Sequence, residues 1–299
     1  MCYYGNRNYL KRKQSGKFIF VEEEIEKIAE MFFPKALSLT IGAAAEPTVY
    51  KNLDSIVTLA KKHRVPSVSI TTNGQALTAK HISNFVRNNL GELTISVHGV
   101  FKSSYERFMV KSQYEKLHNI LKLVTEEKIQ QNSSTPEIRI NFTANVENFR
   151  ELADFFSVFG NYDIATLQIR PVVEIEDAPY EWKSFEPYLD EYHQILDKLE
   201  TACSQRNITL IATRKDPTLK QVTKAQNPNS FLMDYVIRTI KPDQVWKKDF
   251  NWETETYRQY CARKGFRSEI LRAVFGSKQY LVDKYANKPD IYLTSEFHD

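Results

Sequence analysis

Short apolar runs alternate with amphipathic, helix-length stretches through the first two thirds of this chain. Such alternation is typical of βαβ units with right-handed crossovers, whose strands form a parallel sheet, so the fold class is α/β. Strands are predicted at Leu37–Ile41, Ser67–Thr71, Leu93–Val97, Ile138–Phe142 and Thr166–Arg170, and Ile208–Ala212 would add a sixth. Helices are predicted at Glu22–Phe33, Asn52–Lys62, Thr78–Asn89, Tyr114–Lys128, Asn148–Phe159 and Phe185–Arg206.

Two sheet architectures fit this pattern. Parallel strands need neighbours on both sides, and a barrel or partial barrel satisfies that need more fully than an open, doubly wound sheet. The pattern alone leaves both open. Because the first predicted element is a helix, it also leaves open a first strand missing upstream.

The pattern predicts three segments. Residues 1–212 carry the α/β repeat and form the predicted barrel. Residues 213–230 are polar, include Pro217 and Pro228, and are predicted to be a linker. Residues 231–299 are rich in aromatic residues, with a predicted helix at Ser268–Val274, and form a C-terminal extension expected to pack on the barrel.

Charge and cysteine content exclude several classes of protein. The 41 basic and 37 acidic residues leave a net charge of +4, too small and scattered to indicate nucleic-acid binding. Neither a membrane-spanning apolar run nor a signal peptide is present, so no membrane partner is expected. The three cysteines, Cys2, Cys203 and Cys261, are far apart and odd in number, which favours a reducing, cytoplasmic location over a disulfide framework.

The loops after the strands are where chemistry is expected, because a parallel α/β domain binds ligands at the carboxyl ends of its strands. These loops offer small residues, hydroxyls, amides and single charges. Together they suit a nucleotide-like ligand with a ribose and a charged end. They comprise Gly42–Pro47, Thr72–Gly74, Ser96–Gly99, Asn141–Asn145 and Arg170–Pro171.

The order of these motifs resembles the radical S-adenosylmethionine (SAM) enzymes. Cys2–Asn6, Cys-Tyr-Tyr-Gly-Asn, is similar to the sequence after the third cysteine of that family's C-x3-C-x2-C motif. Ala44-Ala45-Glu46-Pro47 stands where the family usually has Gly-Gly-Glu-Pro. Ser69–Gly74 and Thr94–Gly99 resemble its next strand ends. The resemblance extends from about Cys2 to Arg170 and lies in order and spacing.

The resemblance implies a TIM-like partial (β/α)6 barrel that holds a [4Fe–4S] cluster and SAM. Cys2 would be a cluster ligand, since thiolates hold such clusters. Ala44, Ala45 and Glu46 would line the SAM methionine. The family cleaves SAM reductively and uses the resulting 5′-deoxyadenosyl radical to abstract hydrogen from substrate, which is oxidoreductase-type chemistry. The other candidate cofactor contacts are Thr72, Asn73, Ser96, His98, Asn141 and Arg170.

The missing cysteines bear on activity. A lone thiolate does not hold a [4Fe–4S] cluster, and neither Cys203 nor Cys261 has the motif's spacing. We therefore expect an N-terminally shortened enzyme, inactive as it stands. The alternative is a cluster-free relative that binds SAM or a partner. The substrate, a peptide or a small metabolite, stays open, and a flavodoxin or ferredoxin would supply the electron.

Several candidate residues also have purely structural interpretations. Glu46 before Pro47 would cap the next helix. His98 would bond a neighbouring loop, and Arg139 and Arg170 would form structural salt bridges instead of meeting a carboxylate of SAM or substrate. Cys203 is predicted to be a buried small hydrophobe.

Overall fold

The structure, a computed structural model, describes residues 19–42, 45–172, 183–214, 237–242 and 244–276. These residues belong to two compact units. The first includes the described residues from Phe20 to Arg214, and the second includes Ile19 and the described residues from 237 onward. Cys2, Ala44, most of the predicted linker and the last residues of the predicted extension lie outside the described residues.

The first unit alternates strands and helices, as the sequence predicts. Its strands are β1 (Ser38–Ile41), β2 (Ser67–Thr72), β3 (Glu92–Val97), β4 (Glu137–Ala144), β5 (Ile164–Pro171) and β6 (Thr209–Ala212). Its helices are α1 (Glu22–Phe32), α2 (Leu53–Lys62), α3 (Ala79–Arg87), α4 (Lys102–Phe108), α5 (Tyr114–Gln130), α6 (Phe155–Phe159) and α7 (Leu189–Ser204).

All neighbouring strands of this sheet are parallel, and their order within the described chain is β1-β2-β3-β4-β5-β6. A doubly wound sheet reverses its strand order near the middle, whereas a barrel adds each strand beside the previous one. The sequential order therefore decides for the partial (β/α)6 barrel. The sixth strand is confirmed, at Thr209–Ala212.

The two faces of the sheet differ sharply, as β4 illustrates. Ile138, Ile140 and Phe142 are fully buried on the face that the helices cover, while Arg139 and Asn141 alternate with them on the opposite face. Side chains of consecutive strand residues point to opposite faces, so alternating sequence becomes one apolar and one polar surface. We call the polar surface, continued by Ser96 on β3 and Gln168 on β5, the inner face.

One irregularity interrupts the pairing of β4 with β5. Ile138 lies opposite Ile164, but the next residue, Arg139, lies opposite Thr166, so Ala165 is an extra residue in β5. From there the register is regular through Arg170, which lies opposite Thr143. This bulge sets which residues of β5 share the inner face.

Most helices form as predicted, and the capping residues show why. Thr78 Oγ1 accepts a hydrogen bond from the N–H of His81, and His81 Nδ1 accepts one from the N–H of Thr78, which together begin α3. The predicted helix Asn148–Phe159 is wrong in detail. Its first part, Phe149–Asp154, is a 3₁₀ helix, preceded by a tight turn in which Asn145 Oδ1 accepts hydrogen bonds from the N–H groups of Glu147 and Asn148.

The second unit is small and held by aromatic packing. A hairpin of β7 (Ile240–Lys241) and β8 (Gln244–Val245) precedes α8 (Tyr257–Arg263) and α9 (Phe266–Phe275). The Trp246 ring packs edge-on against Tyr260 and Phe266, at centroid distances of 4.9 and 5.7 Å. The predicted helix at Ser268–Val274 is thus confirmed as part of α9. None of the helices in the described ranges is both long and apolar enough to cross a membrane.

Candidate active site at the carboxyl ends of the strands

The carboxylate of Glu46 joins the loops that follow β1 and β2. Its Oε1 accepts hydrogen bonds from Thr72 Oγ1 and Thr48 Oγ1, both at 2.6 Å, and from the N–H of Thr48 at 3.2 Å. Its Oε2 accepts one from the N–H of Asn73 at 2.8 Å. Glu46 also caps the 3₁₀ turn Pro47–Val49. The capping role and a contact with a ligand are compatible, because Oε2 keeps a second lone pair.

Gly42 allows the first loop to approach β2 closely. Its φ of +85° lies in the left-handed region, and a Cβ there would lie 2.4 Å from the carbonyl oxygen of Thr71 and 2.7 Å from Pro47 Cδ. Only glycine fits such a position without displacing backbone. The loop that carries Ala45 and Glu46 is therefore held against the end of β2.

Thr72-Asn73-Gly74 forms a hydrogen-bonded turn. Thr72 Oγ1 accepts from the N–H of Gly74 at 3.0 Å, and Asn73 Oδ1 accepts from the N–H of Gln75 at 2.8 Å. Gln75 Nε2 in turn donates to the hydroxyl of Tyr105 at 3.1 Å. The side-chain oxygens of Thr72 and Asn73, which the sequence assigns to a ligand, thus accept hydrogen bonds within the turn. Contacts of these two residues with a cofactor stay predictions.

A single amide fixes the ends of β3 and β4. Asn148 Nδ2 donates to the carbonyl oxygens of His98, at 2.9 Å, and of Thr143, at 3.0 Å. Glu151 acts nearby, where its Oε2 accepts from the N–H of Val100 at 2.8 Å just before α4. Sequence reasoning missed both residues. The paired asparagines of Asn145-Val146-Glu147-Asn148 were the signal, since asparagine favours turns that bond their own backbone.

His98 and Asn141 present buried polar atoms without a hydrogen-bond partner in the described structure: His98 Nδ1 and Asn141 Oδ1. Ser96 lies opposite Asn141 in the β3–β4 register, and His98 follows one residue after the end of β3 at Val97. Burial lowers the pKa of His98 from 6.5 to about 4, so its imidazole is neutral at pH 7. Most buried polar atoms in proteins are paired, and each of these two atoms can accept a hydrogen bond from a ligand hydroxyl.

Two arginines on the inner face have different surroundings. Arg139 forms an ion pair with Glu92, with its Nη2 and Nε at 2.6 and 2.9 Å from Glu92 Oε2. Arg139 therefore forms the structural salt bridge that the sequence offered as an alternative to a contact with SAM or substrate. The side chain of Arg170 is exposed and makes no hydrogen bond or ion pair with any described residue. Partial desolvation, followed by the charge of Arg139, lowers the pKa of the Arg170 guanidinium.

The described residues contain no group of three His, Cys, Asp or Glu side chains that could hold a metal ion. Cys203 is buried, and burial raises the pKa of its thiol to about 11, so it is protonated at neutral pH. The prediction that it is a small core residue fits. Cys2, the predicted cluster ligand, and Ala44 lie outside the described residues, so both remain predictions.

Comparisons with known proteins give the family and the fold. The family model described as the radical SAM superfamily matches residues 1–156. A search of curated proteins finds no significant match. Streptococcus suis SuiB bound to S-adenosylmethionine superposes with a TM-score of 0.51 at 14% identity, covering 62% of this chain and 42% of that one.

A second solved structure, native anSMEcpe with bound AdoMet and a Kp18Cys peptide, gives a TM-score of 0.51 at 16% identity. The superposition covers 64% of this chain and 55% of that one. SuiB bound to its precursor peptide SuiA also matches, with a TM-score of 0.51, 14% identity and 71% and 45% coverage. The chain therefore spans about half the length of these structures, and at such identities they support the fold.

Proposed function

The chain belongs to the radical SAM superfamily, and from that premise we propose that its inner face binds SAM for reductive cleavage beside a [4Fe–4S] cluster. When bound, these groups supply a 5′-deoxyadenosyl radical that abstracts hydrogen from substrate. The residues of this chain bind and orient the ligand, as proteins generally do for cofactors that carry the chemistry themselves.

The observation that carries the proposal is the pair of unpartnered buried acceptors at the carboxyl ends of neighbouring strands, Asn141 Oδ1 on β4 and His98 Nδ1 just after β3. Asn141 Oδ1 accepts a hydrogen bond, and a neutral His98 offers its Nδ1 as an acceptor in the tautomer protonated at Nε2. Ribose hydroxyls and an adenine amino group are donors of the kind these atoms lack. The described inner face therefore fits a nucleoside better than an apolar ligand.

The opposite end of SAM is assigned to the loops after β1 and β2. Glu46 places a negative charge at this edge, and Ala45 and Thr72 lie beside it. A carboxylate and main-chain carbonyls suit the ammonium of the SAM methionine. We assign Ala44, Ala45 and Glu46 to the methionine end, with Thr72 and Asn73 next to them.

The cluster is the part of the proposal that the described residues do not test. Cys2 would supply one thiolate, and the family motif requires two more. The sequence has three cysteines in total, and the other two lack the motif's spacing. An active form would need cysteines supplied from outside this sequence, together with an electron donor such as a flavodoxin or ferredoxin in a reducing cytoplasm.

A peptide is the substrate class that we favour over a small metabolite. SuiB is described bound to its precursor peptide, and anSMEcpe with a cysteine-containing peptide. The identity to those proteins is low, so the assignment to this chain is a proposal by analogy of fold.

SAM binding tests the cofactor assignment without requiring turnover. Wild-type protein is titrated with SAM in a calorimeter, beside Asn141→Ala and Asn119→Ala, the latter an exposed position on α5. We expect Asn141→Ala to weaken binding by about tenfold, the effect of losing one hydrogen bond to a bound ligand. Asn119→Ala should bind like wild type. Absence of SAM binding by the wild type at millimolar concentration would refute the assignment.

A cluster-free relative is the second candidate, favoured by the cysteine content: of the three cysteines in the sequence, Cys2 alone stands at a motif position. Iron and sulfide are measured after anaerobic reconstitution of this chain. About four of each per chain would establish the cluster. SAM binding with almost no iron would favour the cluster-free alternative for the chain as given.

A further inference from the structure

We propose that Arg170 binds a carboxylate of the substrate, and so selects substrates that bear one, instead of binding SAM. This inference rests on the proposed function above and deepens it, because it names a chemical feature of the substrate. It contrasts with the sequence-based assignment of Arg170 to the cofactor.

The first support is the charge left over on the inner face. Arg139 is neutralised by Glu92, which also accepts a hydrogen bond from Thr94 Oγ1 at 2.9 Å. Arg170 has no such counterion among the described residues. A guanidinium that feels the charge of a second arginine and has no counterion among the described residues gains most from a ligand that brings a negative charge.

The acidic groups nearest in the sheet do not supply that charge. Glu92 and Glu137 lie opposite each other at the amino ends of β3 and β4. Arg170 lies opposite Thr143, which is six residues further along β4 than Glu137. At about 3.3 Å per residue the two levels are roughly 20 Å apart. Glu46 follows β1, four strands from β5, and already accepts hydrogen bonds from both of its loops.

The second support is accessibility. The Arg170 side chain is exposed, so a ligand entering from solvent reaches it without displacing protein. Asn148 holds the ends of β3 and β4 together, and the register places Arg170 on the next strand at the level of Thr143. The cation thus lies at the carboxyl-end rim of the barrel, beside the stretch assigned to the nucleoside.

The third support separates substrate from cofactor. The superfamily match ends at residue 156, before β5 begins at Ile164. A group that all members bind is expected to be held within the shared region, and a group peculiar to this chain outside it. Arg170 falls in the latter part. Its planar fork of donors suits a carboxylate, which it contacts with two parallel hydrogen bonds.

The test uses three blocked peptides and the NMR signal of the Arg170 Nε–Hε group, identified by its loss in Arg170→Lys. The peptides are acetyl-Gly-Glu-Gly-amide with an acidic side chain, acetyl-Gly-Gln-Gly with a free C-terminus, and acetyl-Gly-Gln-Gly-amide with neither. We expect one of the two carboxylate peptides to shift the signal at millimolar concentration, which tells an acidic side chain from a peptide C-terminus. The neutral peptide should not shift it.

Variants then separate this role from cofactor binding. Arg170→Gln should lower the affinity for the carboxylate peptide by at least about tenfold. Arg170→Lys should have an intermediate affinity, because lysine keeps the positive charge but loses the two parallel hydrogen bonds of the guanidinium. The control Arg150→Gln removes a surface arginine paired with Glu191 and should bind like wild type. SAM affinity of Arg170→Gln should equal that of wild type.

Two results would overturn the inference. One is an Arg170 signal that shifts equally with all three peptides, or that shifts with none of them. The other is a tenfold loss of SAM affinity in Arg170→Gln, which would return Arg170 to the cofactor. Because wild-type SAM binding is measured in the same series, failure of the proposed function is recognised separately.

Discussion

The Oε2 atom of Glu46 lies 2.8 Å from the main-chain nitrogen of Asn73, so one carboxylate links the loops after β1 and β2. The link matters because the two loops come from strands that end at the same edge of the sheet. A single side chain thereby sets the spacing of two segments that we assign to one ligand. Removal of this carboxylate should therefore change the positions of both loops.

Glu46→Gln should lower the free energy of unfolding by about 1–3 kcal/mol, because its amide nitrogen would face a donor that now meets a carboxylate oxygen. Urea denaturation measures the change. Glu26→Gln, at an exposed position on α1, is the matched control and should change stability by less than about 0.5 kcal/mol. Equal effects of the two variants would contradict a linking role for Glu46.

His98 should make stability fall between pH 6.5 and pH 4. Burial lowers its pKa in the folded protein to about 4, whereas the unfolded chain protonates near 6.5. Above pH 6.5 neither state is protonated, and as the pH falls the unfolded state takes up the proton first. The resulting loss is about 3 kcal/mol by pH 4.

This loss is isolated by comparing urea unfolding of wild type and His98→Gln at several pH values. The variant cannot take up the proton, so its stability should fall less steeply over that range. Parallel curves for wild type and His98→Gln would show that His98 does not titrate as described.

The Glu92–Arg139 pair should couple strongly in a double-mutant cycle. Both side chains are about one quarter exposed, at 24% and 27%, so each charge is partly desolvated. Glu92→Gln and Arg139→Met should each cost about 1–3 kcal/mol, and the double variant should cost less than their sum. The exposed pair Arg107–Glu147 provides the comparison and should show coupling below about 1 kcal/mol. Additive effects of the two substitutions would show that Glu92 and Arg139 do not stabilise each other.

Alanine substitutions at two glycines, both at the carboxyl-end edge of the sheet, distinguish the cost of backbone strain from the cost of a steric clash. Gly42 and Gly74 have φ values of +85° and +74°, but a Cβ on Gly74 would come no closer than 3.8 Å, to Ile95 Cγ2. Gly74→Ala should therefore cost only about 1–2 kcal/mol, from the left-handed conformation. Gly42→Ala adds a clash with the carbonyl of Thr71 and should cost clearly more. Thermal or urea unfolding of both variants measures the difference, and equal losses would show that the first loop moves aside freely.

The sheet was predictable because its signals are local. Runs such as Ser67–Thr71 alternate apolar and polar residues, and each is followed by turn residues, so five strands and their order along the chain follow directly. Local sequence signals do not decide between a barrel and a doubly wound sheet. It depends on which strands pair, and the sequence near Ile208–Ala212 does not state that β6 pairs with β5.

The candidate site was predictable only by residue type. Glu46, Thr72 and Asn73 were singled out from their place after strands, and the structure brings them into one hydrogen-bonded group. Asn148 was missed because its side chain binds two carbonyl groups distant in sequence, that of His98 just after β3 and that of Thr143 in β4. Such a contact depends on tertiary packing, which periodicity does not encode.

The extra residue in β5 determines where this chain tolerates changes in length. Deleting Ala165 would leave a regular strand, with Ile164 still opposite Ile138 and Thr166 still opposite Arg139. Deleting any residue between Thr166 and Arg170 would instead reverse the faces and turn the Arg170 side chain toward the helices. Among natural relatives that keep an arginine at this rim, length variation in β5 should therefore be confined to the position of Ala165.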